Sequence, residues 1–113
     1  MNESDRVDRW LDDLETTLAT THDLVARGRH AFDTDPALPL AFEALSNRVG
    51  DLAKRLTSAD PARFDDPVWS QAARNRDYVV HHYDRVDAAV LWTTVSRHVP
   101  EMTAVVAQLR GGA

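Results

Sequence analysis

The chain has 113 residues, no cysteine and a formal net charge of −5. This length suits one domain that folds without disulfides, and the lack of cysteine excludes thiol chemistry and thiolate zinc sites. The acidic balance disfavours a protein that coats nucleic acid through a generally basic surface, but it leaves room for a small basic site.

The amino-terminal residues, Met1 to Arg6, lack the basic and apolar regions of a secretory leader, and the longest apolar run is the five residues from Ala88 to Trp92. A membrane-spanning helix needs about 20 apolar residues. We therefore expect one cytoplasmic domain over residues 1–113, with a flexible tail at 111–113 and no membrane association.

Apolar residues recur at helical spacing along the chain, whereas only four glycines are present. Steps of three and four residues predict a first helix from about Asp5 to Ala31. The regular alternation of such steps from Leu38 to Leu56 predicts a second helix with a narrow packing seam. Gly50 lies inside this second helix, where it costs about 1 kcal/mol relative to alanine unless it permits a close helix contact, and it is interpreted as a tolerated residue.

Aspartate and proline mark the boundaries of the other elements, because aspartate caps helices well and proline suits the first turn. The pattern predicts a turn at 33–39, around Asp33, Asp35, Pro36 and Pro39. It also predicts a loop at 58–67, with cap-like pairs at Asp60-Pro61 and Asp66-Pro67. A third helix is predicted from Pro67 to about Val86, a fourth is capped by Asp87, and a fifth is opened by Pro100. The fold class is therefore all-α, an antiparallel bundle of four to five helices.

Basic residues are concentrated in the third predicted helix. Residues 74–85 hold three arginines and two adjacent histidines, whereas residues 1–20 hold six acidic and two basic residues. The third helix is therefore the candidate site.

Helical geometry places Arg76 on the packing face of that helix. At about 100° per residue it shares a broad face with Trp69, Val80 and Tyr83, so we expect a buried or interfacial arginine with an anionic partner or ligand. His81 lies roughly 140° around the helix from Arg76. One straight helix does not bring the two together, whereas a distorted helix end or two copies around a shared groove would.

The segment at 76–83 reads Arg-Asp-Tyr-Val-Val-His-His-Tyr, and Asp84-Arg85-Val86-Asp87 and Leu91-Trp92 follow it. This pattern of arginine, polar residue, histidine and tyrosine, with an aspartate and a tryptophan on the next helix, resembles the HepT-like branch of the HEPN superfamily. The resemblance implies an HEPN-like fold and a metal-independent endoribonuclease toxin without cofactors, which acts as a homodimer with both Arg–His motifs in one cleft. It also implies a minimal nucleotidyltransferase (MNT) antitoxin, as in type VII-like toxin–antitoxin pairs.

The resemblance also implies roles for individual residues. Arg76 and His81 would be catalytic, and Tyr83 would receive AMP from the antitoxin. The other polar residues of the segment are expected to support the site or bind RNA phosphate: Arg74, Asn75, Asp77, His82 and Arg85.

Two arginines are candidates for the essential arginine of the site. Arg74-Asn75 is a second arginine–polar pair, with six residues between Arg74 and His81. Arg76 is preferred because its spacing and the His-x-Tyr pattern then fall into register together.

The residue chemistry supports this interpretation independently. RNA supplies its own nucleophile, so a metal-free nuclease needs a base for the 2′-OH proton and a cation for the charge that develops on the phosphate. Histidine titrates near neutral pH, and arginine is permanently charged and binds phosphate in a bidentate way. We expect products that end in a 2′,3′-cyclic phosphate and a 5′-OH.

Plainer interpretations stand beside these. A metal site on Asp77 and His81 is disfavoured because no other ligand is clustered nearby. Three isolated histidines are expected to be solvated: His22, His30 and His98. Three tryptophans are expected to pack in the core: Trp10, Trp69 and Trp92. The alternative function is a non-catalytic helical subunit that helps a minimal nucleotidyltransferase bind its substrate, and a generic dimeric scaffold comes third.

Overall fold

A computed structural model describes the chain from Asn2 to Gly111, and every regular element in that range is helical. The elements are α1 (Glu3–Val25), α2 (Arg29–Thr34), α3 (Ala37–Ala59), α4 (Pro67–His81), α5 (Ala88–Thr93), a π-helical turn (Thr94–His98) and α6 (Val99–Leu109). Because α5, the π turn and α6 are continuous, the described residues form five helical segments. The predicted all-α bundle is confirmed, and the last two residues of the predicted tail lie outside the described range.

The starts of α4 and α5 follow the predicted caps. The side chain of Asp66 accepts a hydrogen bond from the Val68 N–H, with Pro67 in the first turn of α4. The side chain of Asp87 accepts from the N–H groups of Ala89 and Val90 at the start of α5. Both starts are set by local chemistry that satisfies N–H groups without a partner inside the helix.

Two helices end earlier than predicted. The first was expected to reach Ala31, but α1 ends at Val25, since Gly28 adopts a φ of 92° that breaks the helical path before α2 begins. The third was expected to reach Val86, but α4 ends at His81. There the Tyr78 hydroxyl accepts a hydrogen bond from the Asp87 N–H at 3.0 Å, which folds the chain back into a turn.

Two predicted helix starts are wrong. The Asp60-Pro61 pair opens only a turn, in which Asp60 accepts a hydrogen bond from the Arg63 N–H. Pro100 does not open a separate helix, because the backbone continues through the π turn, where the Val99 N–H bonds the Thr94 carbonyl. Proline has no N–H for the carbonyl four residues earlier, and the wider turn lets the helix continue past it.

Apolar side chains form two core clusters. The larger joins α1, α3, α4 and α6 around Trp69, which is 1% exposed. The smaller joins α2, α3 and α5 around Phe42, with Trp92 packed against it. Trp10 packs against the larger cluster, so the prediction that the three tryptophans belong to the core is confirmed. No helix of residues 2–111 is long and apolar enough to span a bilayer.

The closest approach of α3 and α4 lies at Gly50, which is buried. A Cβ atom added there would clash with the Cβ of Arg76 and would lie 2.8 Å from the Ala72 carbonyl oxygen. Real Cβ atoms do not approach backbone this closely, so α3 and α4 can pack at this distance only around glycine. The interpretation of Gly50 as merely tolerated is therefore wrong: the helix contact requires it.

The contact at Gly50 predicts whether replacing this residue by alanine stabilises or destabilises the fold. Helix propensity alone would make Gly50→Ala stabilising by about 1 kcal/mol. Because the added methyl group has no space, we expect Gly50→Ala to destabilise the fold instead, by about 1–3 kcal/mol. Urea unfolding of the wild type and variant measures the difference, and a stabilised variant would contradict the packing.

Candidate functional site

Arg76 lies on the face of α4 that meets Gly50, and its side chain is 27% exposed. Its Nε is 3.3 Å from Asp51 Oδ1 on α3, and its Nη1 is 3.3 Å from Asp77 Oδ1. The expected interfacial arginine with an anionic partner is confirmed. The partners are one carboxylate from the facing helix and one from the neighbouring residue.

The two carboxylates use only part of the hydrogen-bonding capacity of Arg76. Nη1 donates to Asp77, whereas Nε is buried without a hydrogen bond, so Asp51 contributes charge rather than a hydrogen bond. A guanidinium carries five N–H donors in a planar fork. Arg76 is therefore held by two opposite charges while it retains donors for an anionic ligand.

Asp77 joins this arginine to a second cation. Its Oδ1 accepts a hydrogen bond from Lys54 Nζ at 2.6 Å, and this bond, opposed in part by desolvation and aided by Arg76, lowers the pKa of Asp77 below its usual value. The carboxylate is consequently ionised at neutral pH and any stability it contributes is lost only in acid, as the pH falls through its lowered pKa. Asp77 thus forms ion pairs with both Lys54 and Arg76.

His81 is the last residue of α4, and its side chain is exposed. Within residues 2–111 no hydrogen bond or ion pair joins it to Arg76 or to another group. The two lie five positions apart on an ordinary helix, so the single chain leaves them on different sides, as the helical geometry predicted. The site of one copy thus consists of a fixed arginine and a separate solvent-facing histidine.

His82 and Tyr78 hold the end of α4. Their rings stack with centroids 4.4 Å apart, and His82 Nδ1 lies 2.8 Å from the Tyr78 carbonyl oxygen. Together with the bond from the Asp87 N–H to the Tyr78 hydroxyl, this contact shapes the turn at 82–87. His82 therefore supports the turn, and within residues 2–111 it forms no hydrogen bond or ion pair with Arg76.

Tyr83 lies in this turn and is 80% exposed. The expectation that Tyr83 and Val80 share the packing face with Arg76 is wrong: α4 has already ended at Tyr83, and Val79 is the buried valine while Val80 is 39% exposed. Val80 and Tyr83 leave apolar surface exposed on either side of His81 in the chain.

The remaining supporting residues are not gathered around Arg76. Arg74 is exposed and donates a hydrogen bond to Gln71, and Asn75 accepts one from the same glutamine. Asn75 also lines a small pocket between α3, the π turn and α6. Arg85 is exposed in the turn after α4.

The isolated histidines divide into two groups. His22 and His30 are exposed, as predicted. His98 is 27% exposed and lies 4.0 Å from Glu101, so its expected full solvation is wrong. In the described part of the chain no three acidic or histidine side chains form a group that could hold a metal ion.

Sequence reasoning missed Asp51 and Lys54. Both lie on α3, more than 20 positions before their partners, so no local pattern connects them to the arginine–histidine segment. The available signal was Gly50, whose presence inside a regular helix indicates a close neighbour.

The profile of the family described as "Ribonuclease HepT-like" matches residues 14–109, most of the chain. The chain belongs to this family. A protein named "Putative RNase TTE0752" from Caldanaerobacter subterraneus subsp. tengcongensis is 27% identical over 69% of this chain and 70% of its own length. One named "Probable ribonuclease HepT" from Thermococcus cleftensis is 33% identical over 55% of this chain and 56% of its own.

No solved structure matches this chain significantly. The family and the names of the relatives support a ribonuclease function for a HepT-like chain of this kind.

Proposed function

We propose that this chain is a metal-independent endoribonuclease and the toxin of a toxin–antitoxin pair. The observation that carries the proposal is the fixed, partly exposed guanidinium of Arg76, in a chain that belongs to the HepT-like ribonuclease family. The proposed substrate, cellular RNA, places its action in the cytoplasm.

In the proposed reaction His81 accepts the proton of a ribose 2′-OH, and the 2′ oxygen attacks the adjacent phosphorus. The bond from phosphorus to the 5′ oxygen breaks, and that oxygen takes a proton from solvent water and leaves as a 5′-OH, while His81 returns its proton to solvent. Arg76 binds the non-bridging oxygens, whose negative charge grows in the transition state. The products are a 2′,3′-cyclic phosphate and a 5′-OH.

Arg76 suits this role better than Arg74. Arg76 is held by Asp51 and Asp77, whereas Arg74 is exposed and bonded only to Gln71 within residues 2–111. A guanidinium whose position is already fixed loses less conformational freedom when it binds phosphate.

The separation of Arg76 and His81 favours a site shared by two copies. Val80, the residue before His81, is 39% exposed, and a second copy would cover this apolar surface. In such a homodimer, Arg76 of one protomer and His81 of the other would act on one phosphate in a common cleft.

The proposed antitoxin is a minimal nucleotidyltransferase that modifies Tyr83. The 80% exposure of this side chain leaves its hydroxyl open to attack the α-phosphorus of ATP, with pyrophosphate as the leaving group. The attached AMP would block the cleft and neutralise the nuclease.

Cleavage of a single-stranded RNA tests the catalytic assignment. We expect cleavage in the presence of EDTA, a loss of about 10²–10⁴-fold for His81→Ala and about 10²–10³-fold for Arg76→Ala, because each removes one transition-state interaction. Arg74→Ala is the matched control, expected to lose less than about tenfold, as for one supporting phosphate contact. Chromatography of the products identifies their ends.

Two results would contradict this assignment: products with a 3′-hydroxyl, or a purified wild type that leaves RNA intact. The second would favour the non-catalytic binding subunit.

Mixing two inactive variants tests the shared site. If Arg76 and His81 act across the interface, a dimer of one Arg76→Ala and one His81→Ala protomer keeps one intact site. Random exchange makes half of the dimers mixed, so we expect about a quarter of the wild-type rate. Each variant mixed with itself is the control, and a mixture that stays inactive would refute a site built from both copies.

The two tyrosines of the chain provide a matched test of modification. With the partner nucleotidyltransferase and ATP, we expect intact-mass spectrometry to show added AMP on the wild type and on Tyr78→Phe, whose hydroxyl already accepts the Asp87 N–H. Tyr83→Phe should remain unmodified. AMP found on Tyr83→Phe would place the modification elsewhere.

A further inference from the structure

Lys54 and Arg76 bind the same carboxylate oxygen. Lys54 Nζ lies 2.6 Å and Arg76 Nη1 3.3 Å from Asp77 Oδ1. The two cationic nitrogens are therefore no more than about 6 Å apart, and Asp77 offsets their mutual repulsion. Two positive groups from different helices are thus held side by side at the candidate site.

Lys54 keeps most of its binding capacity. Its side chain is 42% exposed, and its ammonium uses one of three donors on Asp77 within the described residues. An ion pair this exposed contributes little to the stability of a fold. The ion pair with Asp77 positions the Lys54 ammonium and leaves its other donors available to a ligand.

The packing of α3 against α4 brings Lys54 to this site. Gly50 lies beside Ala72 and Arg76, and Lys54 lies one turn further along α3, from which its side chain reaches Asp77.

We propose that Lys54 is a substrate-binding residue that contacts the RNA phosphate next to the one held by Arg76. This inference rests on the proposed ribonuclease function and extends it to a second phosphate position. Lysine binds phosphate as a point charge on a flexible stem, so the contact follows the backbone and reads no base. Asp77 fixes the spacing of the two cations.

Salt-dependent binding tests this inference without cleavage. The probe is a fluorescent, mixed-sequence oligonucleotide with 2′-O-methyl groups, which has no nucleophile, and fluorescence anisotropy gives its affinity between 50 and 200 mM salt. Each phosphate contact on a single strand contributes about 0.7 to the slope of log affinity against log salt. We expect Lys54→Gln to reduce the slope by about that amount and Lys54→Arg to preserve it.

Arg55→Gln is the matched control. Arg55 is the next residue of α3, is exposed and makes no ion pair within residues 2–111. Arg55→Gln therefore removes the same charge from a residue that is not paired with Asp77 beside Arg76. We expect its slope to equal that of the wild type. An unchanged slope in Lys54→Gln, or the same reduction in both variants, would overturn the inference.

Cleavage kinetics separate this inference from the proposed function. Lys54→Gln should raise KM about fivefold or more with kcat within about twofold, as expected for a contact made equally in the ground and transition states. If the wild type cleaves RNA and Lys54→Gln keeps the wild-type KM, the inference fails while the proposed function stands. If the wild type binds the probe but cleaves no RNA, the proposed function fails and the slope still tests Lys54.

Discussion

The candidate site depends on the close approach of α3 and α4 at Gly50. Because this residue has no side chain, the backbone of α3 comes next to Ala72 and Arg76, and the polar groups of the two helices come within direct reach. Asp51 then contacts Arg76, and Lys54 contacts Asp77, across the same interface. A single missing Cβ thus sets the geometry of four charged groups.

These four charges balance each other, which explains how an acidic protein can keep an arginine partly buried. A guanidinium at 27% exposure loses hydration, and two carboxylates compensate for that loss. The compensation reduces the general attraction for RNA but fixes the position of the arginine. The arrangement therefore favours a defined, local phosphate contact over a broad basic surface, in agreement with the net charge of −5.

Features governed by nearby residues could be predicted from the sequence, and features governed by distant contacts could not. The starts of α4 and α5 follow from Asp66 and Asp87, each of which caps N–H groups two or three residues away. The end of α4 depends on a hydrogen bond that Tyr78 accepts from nine residues further on, and the anionic partner of Arg76, although expected in kind, comes from another helix. Helix propensity predicts that Gly50 is less favourable than alanine within α3, but it contains no information about the helix packed against this residue.

The early end of α4 connects the proposed catalysis to its proposed control. In a helix continued to Val86, Tyr83 would lie on the packing face with Arg76, whereas the turn leaves it 80% exposed, two residues after His81. An AMP group attached there would place an anionic phosphodiester beside the histidine. In a shared cleft this phosphate would compete with RNA for the same cations, so modification of one exposed hydroxyl would inhibit the nuclease without unfolding it.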